Sequence, residues 1–214
     1  GSDFEAGMSR VGATSGASAE DMKKLEAKAR EMGATTVFSA SEASDAFYYM
    51  SLAGWDAADM MDGISGVMDL AAASGEDLAL VSDIVTDGLT AFGLSAKESG
   101  RMADVLAAAS ANANTDVKGL GEAFSYVAPV AGALGYTMED TSKAIGLMAN
   151  AGIKSTKAGT ALRTMMTNLA KPTKDMKKAM DKYGISLTDS NGKMKSFDEV
   201  MKDLRKNIGK LDKE

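Results

Sequence analysis

Residues 39–77, SASEASDAFYYMSLAGWDAADMMDGISGVMDLAAASGED, contain two helix start patterns and two helix stop patterns in succession. The first start, Ser39–Glu42, places a hydroxyl where it can accept from an unpaired backbone N–H and a carboxylate where the helix dipole favours it. Asp56–Asp59 is a weaker version of the same pattern. Gly54 and Gly75 follow the two apolar runs, at positions where helices commonly end. The stretch therefore predicts two short, separately terminated helices.

The same punctuation recurs along the chain, and apolar residues between the marks follow a spacing of three or four. Further Ser/Thr-x-x-Asp/Glu starts lie at 18–21, 74–77, 95–98, 137–140 and 196–199, and further glycine stops at Gly33, Gly93, Gly135, Gly152 and Gly184. We predict helices near 18–32, 40–53, 57–73, 76–92, 96–111, 116–134, 138–151, 157–170, 173–183 and 197–208. The fold class is a mainly α, compact bundle of about ten short helices. Pro129 is expected to bend or split the sixth helix.

One stretch departs from the helical spacing. In YGISLTDSNGKMKSF, residues 183–197, apolar side chains alternate and an Asn-Gly pair follows. Asn-Gly between short extended segments favours a tight hairpin turn. We therefore predict a small two-stranded β-hairpin near 185–196, with 185–188 paired to 193–196.

The composition excludes several kinds of chemistry. Hydrophobic residues make up 45% of the 214 residues, which indicates a globular chain, and 16 methionines can fill irregular gaps in its core. With no cysteine and no histidine, the chain has no disulfide and no thiolate or imidazole to act as nucleophile, base or metal ligand. We predict that it is not an enzyme and that it has no catalytic, cofactor-binding or metal-binding residues.

The net charge of −6 conceals an asymmetry. Residues 34–152 carry 16 acidic and four basic side chains, whereas residues 153–214 carry eight acidic and 15 basic ones. An acidic body with a basic end could orient head-to-tail contacts or attract a polyanion. A solvated, lysine-rich surface is the simpler interpretation.

Four motifs resemble functional sites, but each is better explained by a structural role. GIKSTKAGT, residues 152–160, lacks phosphate-loop spacing and follows a helix, so it predicts a turn before a helix capped by Ser155 or Thr156. DSNGKMKSFDEV, residues 189–200, lacks the glutamate that ends a calcium loop. Carboxylate pairs such as Asp59 and Asp62 show no sign of converging across a cleft. Trp55 is interpreted as an anchor for its turn, with a binding role as the alternative.

The organisation of the chain is predicted as follows. Residues 1–3 are expected to be a cloning scar or linker, and residues 4–214 one helical domain, with 18–112 and 115–214 as two sub-bundles within it. No apolar run is long enough to span a bilayer and no signal peptide is seen. AFYYMSLAG at 46–54 resembles AFSYVAPVAG at 123–132. Two related halves would explain the similarity, and chance similarity between Ala/Gly-rich helices explains it nearly as well.

Most of the chain, from Phe4 to about Leu211, resembles the conserved core of phage tail tape measure proteins. The resemblance lies in four segments that occur in the order of that family: 4–18, 25–56, 70–173 and 187–200. They include LEAKAREMGATTVFSASEASDAFYYMSLAGWD and SYVAPVAGALGYTMEDTSKAIGLMANAGIKSTKAGTALRTMMTNLAKPT.

The resemblance implies a structural role. Proteins of that family are long, mostly helical chains that lie in the lumen of the tail tube, set tail length during assembly and leave with the DNA at infection. It implies a virion location, assembly in the host cytoplasm, and contacts with tail tube, tail tip and tail assembly chaperone proteins. Self-association and DNA contact by residues 153–214 are further expectations. The alternatives are a helical interaction module outside a tail and, less favoured, an envelope-acting hydrolase.

Overall fold

Eleven α-helices account for most of the described part of the chain, which is residues 1–211 of a computed structural model, with side chains described up to residue 207. The helices are α1 Ser2–Ser15, α2 Ala19–Thr35, α3 Ala40–Leu52, α4 Ala57–Ser74, α5 Leu78–Ala91, α6 Ser99–Asn112, α7 Val117–Ala133, α8 Met138–Asn150, α9 Ser155–Ala170, α10 Lys174–Tyr183 and α11 Phe197–Leu211. A short 3-10 turn, Ala96–Glu98, precedes α6. The predicted mainly α fold is confirmed.

The helices stack in two layers. In one layer the helices pack side by side in the order α1, α3, α5, α7 and α9. In the other layer the order is α2, α4, α6, α8 and α11. Consecutive helices connect the layers, and one buried apolar cluster runs between them from Phe4 to Phe197. Helices of 10 to 18 residues are marginal alone in water, so this packing supplies most of their stability.

Several turns between the layers share one backbone conformation. At Gly54, Gly93 and Gly135 the backbone takes a positive φ that glycine adopts without steric cost. The N–H of the following residue then donates to a carbonyl in the last turn of the helix, as Tyr136 N donates to Ala131 O at 2.9 Å. Six of the seven predicted glycine stops are confirmed by a positive φ, and this hydrogen bond follows five of them, all except Gly75.

Side-chain caps begin most of the helices. Ser39 and Glu42 form the reciprocal capping box predicted for α3, and Asp56 and Asp59 form one for α4. Ser196 and Glu199 cap α11 in the same manner, with Ser196 N donating to Glu199 Oε2 at 2.7 Å. The predicted start at 74–77 is shifted, because Ser74 ends α4 and Asp77 caps α5.

Glycines inside helices let neighbouring helices approach closely. A Cβ on Gly66 of α4 would lie within 2.6 Å of the Ser99–Gly100 backbone of α6. A Cβ on Gly159 of α9 would collide with the carbonyl oxygen of Ala123 in α7. Gly33, predicted as a stop, is instead inside α2, where its bare Cα accommodates the backbone of Ala40.

Helix α1 is an addition to the ten predicted helices. The sequence did not predict α1 because its glycines lower helix propensity. Phe4, Met8 and Val11 nevertheless have helical spacing and are buried. Gly7 of α1 lies against Ser44 of α3, so a tertiary contact explains a residue with poor helix propensity. Ser2 and Asp3, predicted to be scar or linker, form the first turn of this helix.

The predicted β-hairpin at 185–196 is wrong. Gly192 makes a turn with φ 77°, but a single antiparallel bridge, Thr188 with Met194, is all that forms, and the described residues contain no sheet. Asp189 Oδ1 accepts from the N–H groups of Asn191 and Lys193, both at 2.9 Å. Because Ser196 already caps α11, too few residues remain to extend a second strand.

Three further predictions concern Pro129, the end of the domain and its division into sub-bundles. Helix α7 runs through Pro129 and is not split. The predicted domain end at residue 214 and the last three residues of the basic region 153–214 lie outside the described residues. The division into sub-bundles 18–112 and 115–214 stays a prediction.

Candidate interaction surfaces

The glycine- and lysine-rich stretch 152–160 is part of a helix contact. Gly152 ends α8 with φ 88°, and α9 begins at Ser155, as the turn-and-helix reading predicted. The predicted cap is wrong, because the N-cap residue is Lys154 and no side chain caps this end. Ala158 and Gly159 are buried against α7, so this stretch does not form an open loop around a ligand.

Trp55 anchors its turn, as expected. Its indole is half-buried against the core and lies over Gly63 of α4, where a Cβ would collide with the ring. Trp55 N donates to Met50 O at 3.1 Å, which closes the turn between α3 and α4. A binding role for this side chain stays a prediction.

The carboxylates of Asp59 and Asp62 lie at a helix start and on an exposed helix face. Asp59 completes the capping box of α4, and Asp62 is exposed on the same helix. Within the described residues, no group of three or more Asp or Glu side chains is arranged to hold a metal ion. No helix in residues 1–211 has the length and apolar character required to cross a membrane.

The first candidate surface is an acidic groove of about 530 Å³ between α5 and α7 in the odd-numbered layer, here called the α5/α7 groove. Its apolar lining includes Leu80, Ile84, Ala91, Phe124 and Ala128. Three carboxylates, those of Asp83, Asp87 and Glu122, also line it. None of the three forms an ion pair with a described lysine or arginine.

The electrostatics of this groove are unfavourable in the free protein. Burial, with a further contribution from the Asp87 charge, raises the pKa of the Asp83 carboxyl. Asp83 and Asp87 are four residues apart on α5, a spacing at which like charges repel. Gly121 of α7 allows close contact with Ile84 of α5 at the bottom of the groove, since a Cβ at residue 121 would collide with the Ile84 side chain. A cationic, partly apolar ligand would relieve the repulsion and cover the apolar lining.

The second candidate surface is an apolar groove of about 360 Å³ between α6 and α8, here called the α6/α8 groove. Small residues such as Ala108, Ala109 and Gly146 line it, and Leu147 at its side is 52% exposed. The buried Ser142 hydroxyl lines it too and has no partner among the described residues. The groove therefore has room for an apolar side chain.

An ion pair joins the two helices of the α6/α8 groove. Arg101 of α6 donates to both oxygens of Glu139 in α8, with Nε–Oε1 2.6 Å and Nη2–Oε2 2.8 Å. The Arg101 hydrogen bond holds the pKa of the Glu139 carboxyl below its ordinary value. This two-point contact fixes the spacing of α6 and α8.

The third candidate surface is the basic end of the chain. Helix α10 carries lysines at 174, 177, 178 and 182, and it buries no residue completely. Acidic neighbours offset part of the charge: Lys177 Nζ lies 2.6 Å from Asp181 Oδ1, and Lys195 Nζ 2.6 Å from Asp203 Oδ2. The basic region is thus a mixed-charge surface with local positive patches.

The sequence indicated the basic end as a contact region, but it did not identify the two grooves. The carboxylates of the α5/α7 groove come from two helices that are about forty residues apart in the chain, so only the fold brings them together. Asp83 and Asp87 do show a local clue, because their i, i+4 spacing places both carboxylates on one side of α5, beside Ile84.

Comparison with known proteins places the chain in a family. The sequence profile of the family described as "Phage-related minor tail protein" matches residues 26–214. The tape measure protein of Pneumococcus phage Dp-1 is 44% identical over 205 residues, which are 96% of this chain and 18% of that protein. The probable tape measure protein of Escherichia phage P2 is 26% identical over 190 residues, which are 89% of this chain and 23% of that protein.

The chain spans about a fifth of the length of these two relatives, so it is similar to one region of each. No solved structure matches it. The profile match over most of the chain, together with the 44% identity, leads to one conclusion: the chain belongs to the phage-related minor tail protein family.

Proposed function

We propose that this chain is a folded core module of a tape measure protein, which sets tail length during assembly and leaves the tail with the DNA at infection. The observation that carries the proposal is the 44% identity to a tape measure protein across 96% of the chain. The module acts through shape and contact and performs no catalysis. An assay with purified peptidoglycan that released fragments would contradict the last point.

The module is proposed to be distinct from the measuring segment. A ruler requires a long, continuous helix with a sustained apolar repeat. The described helices are 10 to 18 residues long and end at glycines or caps. As one continuous helix, 211 residues would be about 320 Å long. The folded chain, with two layers of short helices, cannot report length in that way.

The proposed location is the lumen of the virion tail tube, reached after assembly in the host cytoplasm. The proposed partners are the tail tube, tail tip and tail assembly chaperone proteins. The grooves and the basic end are the surfaces available for such contacts. The module must pass a narrow tube at ejection, and a stack of short helices can unravel one helix at a time.

Contact between residues 153–214 and DNA is a subordinate part of the proposal. Lysines on α10 supply positive charge, but acidic residues neutralise part of it, including Asp181 beside Lys177. Binding would therefore be weak and non-specific, with an affinity that falls steeply as salt increases. Unchanged DNA affinity after Lys174, Lys177 and Lys178 are replaced by Gln would contradict it.

A tandem duplication in the parent phage tests the proposed role. If residues 4–211 act only as a folded module, a second copy should leave tail length unchanged or should block assembly. A duplication of equal length in a flanking segment with continuous heptads is the matched control, and it should lengthen the tail by about 1.5 Å per residue. Electron microscopy of the tails gives the readout. Equal lengthening by both duplications would show that this module is part of the ruler.

A further inference from the structure

The lysine-rich helix α10 has an apolar face that the rest of the described chain covers only in part. Met176, Met180 and Tyr183 follow the i, i+4, i+7 spacing of one helix face and are half-buried. Lys177 and Lys182 lie on opposite sides of that face at about 100° per residue. The helix makes no extended contact with α5 or α7 of its own chain.

The α5/α7 groove has the complementary arrangement. Its apolar floor includes Ile84 and Phe124, with Asp83 and Asp87 on the α5 wall and Glu122 on the α7 wall. A helix whose apolar side chains entered this groove would bring one flanking lysine to each acidic wall. Charge-assisted contacts would then replace the repulsion between the carboxylates of α5.

We propose that the α5/α7 groove of one copy binds helix α10 of a second copy. Two different surfaces meet in this contact, so it is heterologous and builds either a ring or an open chain of copies. The inference does not depend on the proposed role in a tail, because it concerns the isolated chain. The surplus of acids in residues 34–152 and of bases in residues 153–214 orients the copies head to tail.

Analytical ultracentrifugation at low salt tests the proposal with two variants. The apparent mass of the wild-type protein is expected to rise with its concentration, as copies associate. Neutralising the groove by Asp83→Asn, Asp87→Asn and Glu122→Gln should weaken association about tenfold or more, as should Lys177→Glu with Lys182→Glu. The matched control replaces three exposed carboxylates outside the groove, Asp62, Asp69 and Asp104, by Asn and should associate like the wild type.

A charge exchange identifies the partner surfaces. A variant with Asp83→Lys and Asp87→Lys should be monomeric alone, and it should form a mixed complex with the Lys177→Glu, Lys182→Glu variant. Circular dichroism confirms that each variant is folded. The chain has no cysteine, so an Asp87→Cys version and a Lys177→Cys version can form a disulfide between copies without side reactions.

Three outcomes would overturn the proposal. The first is a wild-type chain that stays monomeric at millimolar concentration in low salt. The second is association that survives both variants, which would point to another face such as the α6/α8 groove. The third is loss of association in the control variant to the same extent, which would show that total charge alone decides.

Discussion

Gly159, at the crossing of α9 and α7, is a residue where added volume is poorly tolerated. A Cβ there would collide with the Ala123 carbonyl and lie 2.9 Å from the Tyr126 Cβ. Gly159→Ala should therefore lower the free energy of unfolding by about 1–3 kcal/mol, the usual cost of overpacking. Urea unfolding followed by circular dichroism measures it. Gly100→Ala is the control, since its Cβ would meet nothing within 4 Å, and its effect should be neutral or stabilising.

Asp83, in the α5/α7 groove, gives a prediction about pH. Burial raises the pKa of its carboxyl, so the folded chain holds that proton more tightly than the unfolded chain does. The resulting stabilisation is present at acid pH and is lost as pH rises through the folded pKa. Asp83→Asn should therefore raise Tm slightly at neutral pH, and the gain should vanish below about pH 3.9. Asp69→Asn, on an exposed face, should show no such pH-dependent gain. A lower Tm for Asp83→Asn at neutral pH would contradict the argument.

At the scale of single residues, the sequence identified turn glycines well and contact glycines poorly. Gly54 and Gly135 were predictable because an apolar run ends before each and a cap pattern follows. Gly33 looks the same locally, yet it is inside a helix against Ala40. The difference lies in a neighbouring helix, and a neighbour in space leaves no mark beside the residue in the sequence.

At the scale of helices, the cap of α7 is the clearest single contribution. Asp116 Oδ1 accepts from Gly119 N at 2.7 Å, which satisfies one backbone group that has no partner within the helix. Asp116→Ala should cost about 1 kcal/mol of unfolding free energy. Asp104→Ala, on the exposed face of α6, makes the same chemical change away from any cap and should stay within about 0.5 kcal/mol of the wild type. Equal losses in the two variants would rule out the capping explanation.

Most helices were predictable, and the two failures have physical reasons. Helix α1 was missed because its glycines lower helix propensity, while packing on α3 through Gly7 compensates. The hairpin at 185–196 was predicted from a correct turn residue, but Asp189 takes up the turn N–H groups and α11 begins too soon. Of the candidate site, the sequence indicated the charge asymmetry and not the groove, which requires the register between α5 and α7.

At the scale of the whole molecule, stability should be graded along the stack. Interior helices such as α4 and α7 have neighbours on both sides in their layer, whereas α10 buries no residue completely. Hydrogen exchange should be slowest in α4–α7 and fastest in α10, as in other linear helical stacks. Total unfolding free energy should fall within or below the usual range of about 5–15 kcal/mol. Uniform protection across all helices, or a much larger free energy, would count against this arrangement.

The nearest-neighbour packing of the two layers also determines how the chain responds to a pulling force. The main contacts of each helix join it to helices no more than three places away along the chain. Tension applied at either terminus would thus load one interface at a time, and the rest of the stack would stay intact behind it. A single-molecule pulling experiment should record many small ruptures, so the chain can be unfolded and extended at low force.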